Sequence, residues 1–89
     1  MDEQFELLGR LATIEEDKTK QNILLKVIDL LDDLRTIDLS EEAEFLSIHS
    51  QIEALLGFVP EQAQKAILEI SVNTLINRIR KRIDLYNAG

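Results

Sequence analysis

The only histidine in the chain, His49, is the first residue to consider for chemistry. It lies on the border of an apolar stripe with helical spacing. One interpretation is a phosphoacceptor on a helical bundle, but such modules usually follow the histidine with a Lys-Gly pair, whereas Ser50 and Gln51 follow here. The pattern therefore favours a structural histidine that pairs with Glu53, one helical turn further along the chain.

Carboxylates are abundant, and Asp29, Asp32 and Asp33 form a candidate acidic face on one helix. Calcium prefers six to eight oxygens from a flexible loop, and helical di-iron sites need a Glu-x-x-His pair on each of two helices. A chain with one histidine, no cysteine and three scattered glycines matches neither site, nor a phosphate-binding loop. We therefore expect a solvated acidic face, no metal, no cofactor, no catalytic residues and no enzymatic activity.

Four bases, Arg78, Arg80, Lys81 and Arg82, lie close together in a chain whose net charge is −7. The overall acidity argues against non-specific DNA binding. Since Tyr86 is the only aromatic residue near the cluster, single-stranded nucleic acid finds no stacking platform, and nucleic acid is not the expected partner. The cluster is either a solvated shell near a helix C-terminus or a contact site for an anion or an acidic partner.

The elements that carry these residues are predicted to be helices. The chain contains 15 Leu and 11 Ile but few aromatic residues, a composition that favours helix packing over sheet. Apolar periodicity predicts helices over residues 3–11, 14–35, 40–56 and 60–87, joined by short loops. The expected fold is all-α, a small antiparallel three- or four-helix bundle that forms a single domain over residues 1–89.

Capping residues set the predicted helix boundaries. Thr13 begins a capping-box pattern and is expected to start the second helix. Asp38 or Ser40 is expected to cap the third. Gly57 is expected to end that helix in a left-handed conformation, and Pro60 suits the first turn of the fourth. The second helix has an apolar arc of roughly 160°, wide enough to contact two or more neighbours.

The fourth helix carries a second signal at heptad spacing. Its seam, which we interpret as a packing face, consists of Val72, Ile76, Ile79, Ile83 and Tyr86. The helix is predicted to be about 15 Å longer than the third, so its last turns should extend past the bundle.

The overhanging residues form a candidate interface for a second copy or another protein: Ile79, Ile83, Leu85 and Tyr86. The alternatives are that the helix ends or bends near Asn77, or that the basic cluster pairs with the acidic face inside one chain.

These features favour a non-enzymatic protein–protein interaction module. It would be a small acidic adaptor, regulator or inhibitor, with immunity and anti-defence proteins as fold-level analogies. Self-association through the C-terminal helix is expected, most simply as a dimer. The alternatives are an oligomeric anion- or nucleotide-sequestering protein that uses the basic cluster, and a nucleic-acid-associated regulator. The absence of cysteine, of a signal peptide and of a membrane-spanning stretch predicts a cytoplasmic protein.

Overall fold

A computed structural model describes residues 3–88 of the chain, which form four helices and no strand. Their bounds are α1 Glu3–Ile14, α2 Lys18–Thr36, α3 Glu42–Leu56 and α4 Glu61–Ala88. The predicted all-α bundle is therefore confirmed, with four helices rather than three. None of the helices within residues 3–88 is both long and apolar enough to cross a lipid bilayer.

Consecutive helices run in opposite directions. The start of α1 lies beside the middle of α4, where the Gln4 side chain donates a 2.9 Å hydrogen bond to Glu69. The end of α2 returns to the start of α1, so that the Arg35 guanidinium lies 4.0 Å from the centre of the Phe5 ring. α2 contacts all three other helices, as its wide apolar arc predicts.

One hydrophobic core is shared by all four helices. Each fully buried aliphatic or aromatic side chain contributes roughly 1.5–3 kcal/mol through the removal of apolar surface from water. The largest fully buried side chains are Phe45, Leu8, Leu24, Leu31, Leu34, Ile67 and Val27.

The predicted boundary between α1 and α2 is wrong. α1 continues past Gly9 to Ile14, and the Thr13 hydroxyl donates to the Gly9 carbonyl one turn back (2.9 Å) instead of capping a new helix. The N-cap of α2 is Asp17, whose carboxylate accepts a 3.1 Å bond from the Lys20 amide. A threonine hydroxyl that bonds inside one helix is not available to start the next, and Asp17 takes that role.

The start of α3 also differs from the prediction. Asp38 does not cap the helix; its carboxylate accepts bonds from the Ser40 amide (3.0 Å) and hydroxyl (3.2 Å), which closes a turn before it. These hydrogen bonds lower the pKa of the Asp38 carboxyl below its usual value. Glu41 occupies the N-cap position, with no side-chain cap bond among the described residues.

The end of α3 is a right-handed turn, so the left-handed conformation predicted for Gly57 is wrong. Gly57 has φ −69° and ψ −11°. The Phe58 amide then donates to Leu55 (3.0 Å) and the Val59 amide to Leu56 (3.4 Å). Because the chain keeps turning in the right-handed sense, Val59 reaches the core, whereas Phe58 is 62% exposed.

α4 is nearly twice as long as α3, with 28 residues against 15. At 1.5 Å per residue, the two helices span roughly 42 Å and 22 Å. The longest dimension of the molecule is 51 Å. The predicted length mismatch is confirmed, and it leaves the last turns of α4 beyond the start of α3.

Candidate protein-interaction surface

α4 packs on the bundle through a face rich in small residues. The buried residues of this inner face, apart from Arg78, are Ala63, Ala66, Ile67, Ile70 and Ser71. Small side chains let helix axes approach closely, so this row suits a position against the other three helices. Hydrophobicity does not single out a face made partly of alanine and serine, and sequence reasoning missed it for that reason.

The opposite side of α4 carries an uncovered row of large apolar side chains, which we call the outer stripe. At 100° per residue its members fall within an arc of about 100°, centred roughly 160° away from the inner face. The row extends about 27 Å along the helix. Each member is at least 41% exposed, and together they are Leu68, Val72, Leu75, Ile76, Ile79, Ile83 and Tyr86.

The heptad seam predicted from the sequence belongs to this outer stripe and not to the core. Its five members, from Val72 to Tyr86, are 41–86% exposed. Their interpretation as a packing face within the bundle is therefore wrong. The seam is exposed because α1, α2 and α3 pack on the inner side of α4.

Three of the four predicted interface residues lie in the outer stripe. Ile79 is 49% exposed, Ile83 52% and Tyr86 86%. Leu85 is 63% exposed, but it lies about 100° around the helix from Tyr86, outside the stripe. Their participation in an interface stays a prediction.

The basic cluster does not form one surface. Arg78 is 7% exposed, so its interpretation as part of a solvated shell is wrong. Its guanidinium donates to the carbonyls of Asp38 (2.9 Å) and Leu39 (3.2 Å), and a longer bond reaches Ile37 (3.4 Å). The same group lies 4.3 Å from the centre of the Phe45 ring. Arg78 therefore ties α4 to the loop between α2 and α3.

Arg82 strengthens the same connection one turn later. It donates to the Leu39 carbonyl (3.0 Å) and pairs with Glu42 at the start of α3, which also lies 3.6 Å from Arg78. Arg80 and Lys81 are exposed on other sides of the helix. The local sequence does not show which of the four bases are structural, because the groups that bind Arg78 and Arg82 lie about 40 residues away in the chain.

The candidate acidic face on α2 is exposed, and its residues are Asp29, Asp32 and Asp33. Asp32 accepts a 3.1 Å bond from Arg35 within its own helix. Arg78 and Arg82 instead contact Glu42 and loop carbonyls, so the expected alternative of pairing between this face and the basic cluster is not seen for these two arginines.

An apolar groove of about 240 Å³ runs between α3 and α4, beside the outer stripe. Leu68, Val72 and Leu75 belong to both the groove and the stripe. On the α3 side, His49 Nδ1 lies 3.0 Å from a Glu53 oxygen, which confirms the predicted pairing. The groove widens the apolar surface of α4 towards α3.

A more polar depression of about 400 Å³ lies between α1 and α4, on the other flank of the outer stripe. The residues that line it include Arg35, Arg80, Asn73 and Asn77, which carry guanidinium and amide groups. These groups are hydrogen-bond donors of the kind that bind carboxylate or phosphate. Arg80 is the only member of the basic cluster that lines this depression.

No family model matches the sequence, and neither curated proteins nor solved structures include a significant match. Within residues 3–88, no three His, Cys, Asp or Glu side chains lie together in a way that could hold a metal ion.

Proposed function

We propose that this protein is a non-enzymatic protein–protein interaction module that docks its partner on the outer stripe of α4. In this proposal it acts in the cytoplasm as a small acidic adaptor, regulator or inhibitor. Immunity and anti-defence proteins remain analogies at the level of the fold.

The observation that carries the proposal is the exposed heptad row on the longest helix. Isolated exposed leucines are common on soluble proteins, but a continuous apolar row bordered by polar residues is typical of an interaction site. The row begins beside the α3–α4 groove and continues to Tyr86, past the end of the bundle. Its spacing suits an apolar helical surface on the partner, because knobs of one helix fit between residues three and four apart on another.

A photo-crosslinking amino acid at Ile79 tests whether the stripe is a docking surface. The matched control places the same group at Leu25 of α2, which is equally exposed (47% against 49%) but lies outside the stripe. In cells that express the protein, we expect a discrete crosslinked species from Ile79 and none from Leu25. Equal labelling at the two positions, or no product at either, would contradict the proposal.

The depression between α1 and α4 favours a second candidate function, the binding of a small anion such as a nucleotide. Four of its lining residues carry hydrogen-bond donors: Arg35, Arg80, Asn73 and Asn77. Titration with nucleotides should then show binding that Arg80→Glu abolishes. Lys81→Glu makes the same charge change outside the depression and should retain most of the affinity. Absence of binding by the unmodified protein removes this candidate.

A further inference from the structure

The outer stripe has the features needed to pack against a copy of itself. We propose that two chains pair through their outer stripes with the two α4 helices antiparallel, and that each overhanging helix end covers the α3–α4 groove of the other chain. This inference rests on the proposed function and names the partner as a second copy.

Heptad spacing is the first argument. Val72, Ile76, Ile79, Ile83 and Tyr86 alternate at intervals of four and three residues, the arrangement that allows knobs-into-holes packing between two helices. Within one chain every member of this row is at least 41% exposed, although Val72 also borders the α3–α4 groove. A second α4 presents the same spacing and the same apolar surface, so the row is complementary to itself.

The distribution of side chains along the stripe suggests an antiparallel register. If the two helices cross near residue 77, Leu68 of one copy lies opposite Tyr86 of the other. Leu75 then lies opposite Ile79, and Val72 lies within one residue of the position opposite Ile83. These pairs include six of the seven members of the outer stripe, and the seventh, Ile76, lies beside the crossing point.

The overhang and the groove complement each other in this register. Tyr86 is 86% exposed and lies near the end of α4, beyond the bundle. The groove between α3 and α4 begins beside Leu68, the residue opposite the second copy's Tyr86. A tyrosine brings a large apolar area to such a contact. Antiparallel pairing covers both the overhang and the groove, whereas parallel pairing brings the two overhangs together and leaves both grooves open.

Charge also distinguishes the two orientations. Arg78 and Arg82 already contact Glu42 within one chain, so the bases left for a second copy at the end of α4 are Arg80 and Lys81. The other acids of α3 are Glu44 and Glu53, and α3 has no lysine or arginine. Antiparallel pairing places the basic end of α4 along the second copy's α3, where Glu53 borders the groove. Parallel pairing instead places two basic ends together, and like charges disfavour that arrangement.

The first measurement is the mass of the purified full chain by light scattering and native mass spectrometry over a range of concentrations. We expect a dimer in the unmodified protein and a monomer in Ile79→Glu. Leu25→Glu, which adds the same charge at a similarly exposed site, should remain a dimer. Circular dichroism should show an unchanged helix content in both variants, so that loss of the dimer is not loss of the fold. A monomer at every concentration, or a dimer that Ile79→Glu leaves intact, overturns the inference.

Disulfide crosslinking tests the orientation, and the chain is suited to it because it contains no cysteine. A mixture of Leu68→Cys and Tyr86→Cys chains should form a disulfide between the two variants under mild oxidation. Neither variant alone should crosslink efficiently to itself. Rapid self-crosslinking of Tyr86→Cys would show that the overhanging ends meet, which contradicts antiparallel pairing.

The two proposals fail in different ways. A monomeric purified protein whose Ile79 position still crosslinks to a different protein in cells disproves pairing between copies and leaves the docking surface in place. A monomer that also gives no crosslink from Ile79 disproves both.

Discussion

The inner and outer faces of α4 are both apolar, but only the inner face is buried within the chain. The inner face buries Ala63, Ala66, Ile67 and Ile70 against the other helices. The outer stripe has larger side chains and more regular spacing, yet it remains exposed. The comparison shows that the strongest periodic signal in a sequence does not necessarily mark the face that its own fold buries. The regular spacing on this exposed face is the observation on which the proposed docking surface rests.

The same division separates the basic residues at the end of α4. Arg78 is buried and satisfies carbonyls of the α2–α3 loop, whereas Arg80 is exposed on the flank that faces the polar depression. The inner side of the helix therefore stabilises the fold even where it carries charge, whereas the outer side makes little contact with the rest of the chain.

The largest expected effect comes from truncating a residue of the inner face. Ile67→Ala removes a fully buried side chain and leaves a cavity, so it should cost about 2–5 kcal/mol of the free energy of unfolding. Ile79→Ala should cost less than about 0.5 kcal/mol. Both are measured by urea denaturation in an Ile83→Glu background, chosen because a charge in the outer stripe is expected to prevent the proposed pairing of two copies. Equal costs at the two positions would contradict the division between the faces.

The next largest effect concerns Arg78. Arg78→Ala leaves loop carbonyls without their donor and uncovers the Phe45 ring, and we expect a loss on the order of 3 kcal/mol. Arg80→Ala, two residues away, should change the free energy of unfolding by less than about 0.5 kcal/mol. Urea denaturation of the two variants provides the comparison. Similar values would mean that the loop does not depend on the buried arginine.

A smaller effect, of opposite sign, is expected for Gly9→Ala. Gly9 lies on the exposed side of α1, and apart from its chain neighbours and the adjacent backbone of α1 no described atom lies within 4 Å of the position an alanine Cβ would take. Replacing a glycine inside a helix by alanine should therefore raise the free energy of unfolding by about 0.5–1 kcal/mol. This variant measures how much helix propensity alone, without a packing contact, changes the free energy of unfolding at an exposed position. A destabilised protein in urea denaturation would mean that Gly9 has a contact that the structure does not contain.

The smallest effect is the pH dependence of the stability that Asp38 contributes in the loop between α2 and α3. The pKa of Asp38 is lowered in the folded state, chiefly because its carboxylate accepts hydrogen bonds from Ser40. Its contribution to stability is therefore complete above the unfolded value of 3.8 and is lost as the pH falls through the lower folded value. The difference in stability between the unmodified protein and Asp38→Ala should shrink in that acidic range. A difference that does not change with pH would show that the charge of Asp38 is unimportant.

Local features of the sequence predicted most of the secondary structure. The four helices, the length of α4 and the pairing of His49 with Glu53 all depend on residues within a few turns of one another. The helix boundaries were less well predicted, because a residue suited to capping a helix can instead bond within the preceding helix or turn. Thr13 bonded within α1 while Asp17 capped α2, and Asp38 closed a turn before α3.

By itself, the sequence determined that the chain forms an all-α bundle with one overlong helix that carries an apolar heptad seam. Periodicity and helix propensity depend on residues that are close together in the chain, so the sequence alone predicts the helices that they produce. Only the tertiary structure decided that the alanine-containing face of α4 is buried, that the heptad seam is exposed, and that Arg78 is a structural residue. The burial of Arg78 depends on loop carbonyls that are distant in the chain. The choice between the two faces of α4 depends on which of them packs more closely against the other three helices.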